Sequence, residues 1–329
     1  MIPIFAFVFL LIKTAFAGDG QIDIAYLPFT ISSSGSYVVV KDLSLSTQDT
    51  DGIKISANNV TLDLNGHTLI GPGKAVRTSG SGINVSGSYF NIAVRNGTIR
   101  DWRGDRIGGN ACNSLIELLR CYNNGGNGIK TGSYSSIRLC NCSYNGSDGI
   151  QGSAGVISGN SCNQNGSDGI SGGSCTVSEN TCLGNDSNGI NAGSGVVSSN
   201  TCNSNGEDGI WANACSVSGN FCGSNTGDGI RAWTYCRVTD NTCYSNGYST
   251  ATASGIKSAA GYNSIENNVV TSNDYGIYCT TGDFFVGNRA HNNTTSDFSY
   301  PSNCLRGQII NGTAGGQIST TDPYANFRF

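Results

Sequence analysis

Apolar and polar residues alternate with a period of two inside short segments, and the segments themselves recur every twenty residues. The recurring phrase is Asn-x-Cys-x-x-Asn-x-x-x-Gly-Ile, at 160–170, 180–190, 200–210 and 220–230. Strand parity turns Ile210 and Ala212 inward and Trp211 outward. A second short strand turns Cys215 and Val217 inward, and Cys222 points inward again after a bend at Asn220. Residues 223–228 (Gly-Ser-Asn-Thr-Gly-Asp) read as the return loop, rich in residues that tolerate positive φ. Three short strands per repeat, joined by Gly/Asn turns, predict a coil that buries its apolar edge only by stacking on its neighbours. The expected fold is all-β, a parallel β-helix. Glycine density and the lack of helical periodicity exclude an α-solenoid.

Looser copies lie at 51–53, 81–83, 105–107 and 127–129 before the regular block, and at 254–256 and 275–277 after it. Together they predict a solenoid of about eleven coils. Longer spacings between Ile53 and Ile83 and between Ile230 and Ile256 mark insertions. Residues 18–45 read as an N-terminal cap with the first strands, 46–293 as the β-helix, and 294–329 as a C-terminal cap blunting the open sheet edge.

Residues 1–17 are almost wholly apolar, end in Ala15-Phe16-Ala17, and are too short for a membrane span. They read as a secretory signal peptide, although Lys13 comes late for a basic n-region. The expected location is secreted, extracellular or cell-surface, with the periplasm as a variant, and no further membrane span is expected. Of the 329 residues 47 are glycine and 12% are charged, a balance that would suit disorder were Ile, Val and Cys not so regularly spaced. The net charge of −4 and the absence of a basic run argue against nucleic acid as a partner.

Several columns follow from the period. Asn160, Asn180, Asn200, Asn220 and Asn241 stack at one bend, where amides can satisfy buried backbone groups and one another. Cys121, Cys142, Cys162, Cys182, Cys202, Cys222 and Cys243 read as small inward hydrophobes. Pairs seven residues apart, such as Cys215/Cys222, would be available for disulfides in an exported protein. Asp148, Asp168, Asp208 and Asp228 share a turn position with Asn127 and Asn188. Ordinary turn chemistry explains them, and a Ca²⁺ ion held by Asp208 and Asp228 is the alternative. Asn145, Asn165 and Asn185 head Asn-x-Ser sequons and read as turns, open to glycosylation in a eukaryotic host.

Function is sought where the repeat varies outwardly. The residue after each phrase isoleucine faces solvent: Lys54, Asn84, Gly108, Lys130, Gln151, Ser171, Asn191, then Trp211, Arg231, Lys257 and Tyr278. The last four place two aromatics around two cations, a combination suited to a sugar chain through ring stacking and charge-assisted hydrogen bonds. A tryptophan merely covering its neighbours is the plain alternative. Trp233 and Tyr235 follow in the same coil, and the insertion at 248–253 is placed to wall the groove.

Ile31-x-x-x-Gly35-x-Tyr37-x-Val39, Asp51-Gly52-Ile53, the stretch 59–69 (Asn-Val-Thr-Leu-Asp-Leu-Asn-Gly-His-Thr-Leu) and 94–99 (Val-Arg-Asn-Gly-Thr-Ile) resemble the bacterial right-handed parallel β-helix family over about residues 28–293. The resemblance implies the single-stranded, pectate-lyase-like fold. Its members are mostly secreted polysaccharide lyases, hydrolases, epimerases and phage tailspikes that bind substrate along the first-strand face. Fold alone does not name a reaction. The paired aspartates, Gly-His-Gly and Arg-Ile-Lys of polygalacturonases are absent, as is the Asp-Pro-His-Asp of alginate epimerases. His67 belongs to the scaffold stretch and lies far in sequence from His291, and one Met with two His disfavours copper handling.

Three functions stand open. The first is binding, with cleavage or modification, of a polysaccharide, with Arg231 and Lys257 as catalytic candidates: one the base, the other neutralising a uronate. As an enzyme the chain would be a lyase, or a hydrolase with paired carboxylates. The second is a non-catalytic extracellular or surface binding protein using the same strip. The third is ice binding on outward hydroxyl columns, Ser158, Ser178, Ser198, Ser218 and Thr239 in one, and Ser161, Thr181, Thr201 and Thr242 in another broken by Phe221.

Overall fold

The computed structural model describes residues 20–47, 49–73, 79–104, 107–109, 111–247, 252–312 and 318–329. The expected signal peptide, residues 105–106 of one phrase copy, and 248–251 of the groove-walling insertion lie outside them. The described chain has no helix. It winds as a right-handed parallel β-helix in which the first strand of each coil joins a 13-stranded parallel sheet. The second and third strands form two further columns, assigned together as one 26-stranded sheet. They merge because Ile92–Arg100 and Leu115–Tyr122 run unbroken through the bend that separates the two columns elsewhere.

Thirteen rungs stand where the phrase predicts about eleven. The extra rungs are at the ends, where Phe29–Ile31 pairs with Ile53–Ile55 and Ser296–Ser299 pairs with Tyr275–Tyr278. Neither carries Gly-Ile, because an end coil has a neighbour on one side only and is freer in sequence. The segment after 299 continues the stack, with Leu305 beside Phe284 and Phe327 beside Arg289.

Register between coils is one-to-one. Ile150, Ile170, Ile190, Ile210, Ile230, Ile256 and Ile277 are successive partners, all fully buried. The column from Cys121 to Cys243 is likewise in register and buried. Cys142, Cys162, Cys182, Cys202, Cys222 and Cys243 are unbridged thiols, as are Cys175, Cys215 and Cys236. The disulfides suggested by the spacing are therefore not made. Burial raises the Cys162 and Cys202 thiols far above their ordinary range, which suits packing groups rather than nucleophiles.

The phrase is explained residue by residue. Asn200 donates from Nδ2 to Val177 O at 2.9 Å and to Asn220 Oδ1 at 3.0 Å. Its own Oδ1 accepts the Asn180 backbone N–H at 2.9 Å and Asn180 Nδ2 at 3.0 Å. The same ladder continues through Asn241, Asn268 and Asn288 to Asn326. The glycine before each isoleucine is steric: a Cβ on Gly209 would stand 2.6 Å from Gly229 O and 2.7 Å from Asn225 Nδ2.

A second amide ladder corrects the reading of the sequons. Asn145, Asn165 and Asn185 are buried, and each donates to the next amide oxygen at 2.9–3.0 Å. They are core groups closing the turn, with no side chain offered for glycosylation. Of the hydroxyl columns, Ser158, Ser178, Ser198 and Ser218 stand in register, but Thr239 is buried and donates to Asp240.

Candidate functional site

The outward column of the first sheet holds its register through the irregular coils. Trp211 pairs with Arg231, Arg231 with Lys257, and Lys257 with Tyr278. The four expected binding residues thus occupy successive rungs of one rigid face, about one strand spacing of 4.8 Å apart. Gln151, Ser171 and Asn191 lead up to them as a small polar floor. The Trp211 and Trp233 rings lie 6.4 Å apart and tilted by 33°, and Tyr275 meets Tyr278 edge-on at 5.6 Å.

The aspartate column beside this face works in two directions, which spacing alone did not disclose. One oxygen of each acid is part of the scaffold: Asp208 Oδ1 accepts the Asp228 N–H at 2.8 Å, and Asp228 Oδ1 accepts the Ser254 N–H at 2.7 Å. Asn188 fills the same role for Asp208, accepting its N–H at 3.2 Å. The other oxygen reaches diagonally to the outward residue of the next coil. Asp51 Oδ2 takes Asn84 Nδ2 at 2.7 Å, and Asp168 Oδ2 takes Asn191 Nδ2 at 3.1 Å. In the same relation Asp208 Oδ2 lies 3.9 Å from Arg231 Nη1, and Asp228 Oδ2 lies 3.9 Å from Lys257 Nζ. Every variable outward residue in these pairs is matched to the acid one coil behind it.

Two acids and two cations therefore alternate along the site. Asp208 is pushed up to about 7, chiefly by burial and then by the neighbouring Asp228 charge, with Arg231 opposing. Asp228 is raised by burial, against the Ser254 N–H and the Lys257 and Arg231 charges. The Arg231 side chain stays 37% exposed, and its Nη1 lies 3.9 Å from Asp208 Oδ2, too far for a hydrogen bond. The guanidinium thus keeps donor capacity for an incoming acceptor.

These carboxylates do not suit calcium. The ion takes six to eight oxygens, whereas Asp208 and Asp228 each commit one oxygen to a backbone N–H and face a cation with the other. Among the described residues no three His, Cys, Asp or Glu side chains converge for a metal. Among those residues, too, no helix is long and apolar enough to cross a membrane.

The edge-on contact of Tyr275 with Tyr278 escaped the reading of the sequence because Tyr275 precedes its phrase isoleucine instead of following it. The diagonal acid–cation pairing escaped it because its partners sit in different turns of different coils.

No protein-family model matches the chain, and no curated protein does. Solved structures match in fold. The A-module of the Azotobacter vinelandii mannuronan C-5 epimerase AlgE6 aligns with a TM-score of 0.67 at 14% identity, covering 83% of this chain and 91% of that one. The periplasmic alginate epimerase AlgG gives 0.54 at 12%, covering 89% and 76%. A tailspike protein of E. coli bacteriophage HK620, in complex with a pentasaccharide, gives 0.54 at 11%, covering 95% and 72%. At such identities the likeness is one of architecture: the chain shares the right-handed parallel β-helix fold of these proteins.

Proposed function

We propose that this is an extracellular or surface protein that binds an acidic polysaccharide along its first-strand face, across Trp211, Arg231, Lys257 and Tyr278. The observation that carries the reading is the alignment of two cations between two aromatics on four consecutive rungs. A sugar ring stacks on an indole or phenol face, and a uronate accepts charge-assisted hydrogen bonds from a guanidinium or ammonium. The β-helix neighbours, a mannuronan epimerase, an alginate epimerase and a tailspike holding a pentasaccharide, support the same ligand class. Acidic and neutral glycans on an array test it. Binding of uronate polymers that weakens in Trp211→Ala and Arg231→Ala is expected, and an array with no acidic glycan bound would overturn it.

A second reading, chain modification, is favoured by one feature: Asp208 is a buried carboxyl 3.9 Å from Arg231, and burial pushes its pKa up to about 7. In a β-elimination the Asp208 carboxylate would take the proton from C5 of the uronate. The C5–H electron pair would form the C4–C5 double bond, and the C4–O bond would break, its oxygen taking a proton from water. Arg231 and Lys257 would then neutralise the uronate, which leaves the base to Asp208 rather than to either cation. Unsaturated products that vanish in Asp208→Asn distinguish this from binding alone.

A further inference from the structure

Resting on that reading, a second aromatic surface narrows the class of glycan. After the first face a run of successive coils turns through one residue in left-handed backbone. Ala154, Ser174, Ser194 and Ala214 hold this position with φ of 49–54°, and Tyr235 and Tyr262 follow at 52° and 59°. Small residues tolerate such a corner, whereas a bulky side chain is held there at a cost in conformational energy. The two tyrosines gain little burial in return, being 70% and 61% exposed. Their rings stack on each other at 5.9 Å with planes 22° apart. The next coil leaves room for them: a Cβ on Gly282 would lie 2.9 Å from the Tyr262 ring. Tyr235, the more exposed of the two, keeps ring surface available beyond the face stacked on Tyr262.

Trp233, itself 41% exposed and packed against Trp211, joins this corner to the acidic-glycan strip. The result is an uncharged aromatic surface beside the Arg231–Lys257 column, with Tyr235 and Tyr262 stacked on the same two successive coils. We propose that Trp233, Tyr235 and Tyr262 form a second subsite for neutral pyranose units. The ligand is then an acidic heteropolysaccharide in which neutral sugars adjoin the uronate held by Arg231 and Lys257.

Calorimetric titration with two polymers tests this: gellan, whose uronates are flanked by neutral sugars, and polygalacturonate, which has none. The wild type should bind gellan about tenfold more tightly per repeat. Tyr235→Ala/Tyr262→Ala should lose that preference while its polygalacturonate affinity stays within about twofold. Tyr134→Ala is the control, since Tyr134 occupies the same strained corner (φ 62°) far from this surface, and it should change neither affinity. No gellan preference in the wild type, a preference that survives the double substitution, or equal loss of both polymers would overturn the subsite while leaving the acidic strip in place. Failure of the wild type to bind either polymer would remove both proposals.

Discussion

At the scale of single residues, Asp208 carries the most information. The ladder at its position needs only an oxygen that accepts the next coil's N–H, and Asn188 supplies one in the same column. A buried carboxyl is therefore unnecessary for folding, and its raised pKa shows that ionising it opposes the fold. The sign is definite. The folded protein favours the protonated acid, so the Asp208 contribution is fully present below its ordinary value of 3.8 and is lost as pH rises to about 7. Asp208→Asn should raise the thermal midpoint at pH 8 and leave it nearly unchanged near pH 4. The scale is on the order of 1.4 kcal/mol for each unit of pKa difference. A variant less stable than wild type at pH 8 would show that the charge serves structure after all.

At the scale of strands and turns, most of the architecture was legible in the sequence. Coils stack in one-to-one register, so a period in the chain becomes a column in space: the isoleucines, the cysteines and the outward strip all stand where spacing places them. Two features were hidden for physical reasons. Asn145, Asn165 and Asn185 read as turns because Asn-Gly-Ser is turn chemistry, and only coil closure reveals that their amides point inward. The terminal rungs fell outside the count of about eleven because Phe29, in the stretch read as first strands, and Ser296, in the stretch read as a cap, lack the Gly-Ile pair. The ladders make a direct prediction. Asn200→Ala removes the acceptor for two Asn180 donors and strips a donor from Val177 O and Asn220, and should cost about 3–5 kcal/mol. Ser198→Ala, two residues away on the outer surface, should stay within about 0.5 kcal/mol. Equilibrium denaturation of both variants separates the two classes.

At the scale of the whole molecule, the solenoid separates its scaffold from its candidate site. Each coil contacts only its neighbours, so stability is close to a sum over coils and interfaces. Coils 150–205 expose small neutral side chains on the first face, whereas aromatics and cations gather between 211 and 278. Removing residues 171–190, one whole period, should leave every ladder in register. The shortened chain should fold with circular dichroism like that of the wild type and bind glycan unchanged, whereas removing 211–230 should abolish binding. Collapse of the first deletion would mean that the coils are not interchangeable.

The central claim is that the outward column at Trp211, Arg231, Lys257 and Tyr278 holds an acidic sugar chain. Its most direct test is the dissociation constant for uronate oligomers of wild type, Trp211→Ala and Arg231→Ala, each checked for an unchanged thermal midpoint. Each substitution should weaken binding about tenfold or more, and Arg231→Ala should also flatten the dependence on salt. Equal affinities in all three proteins would contradict it.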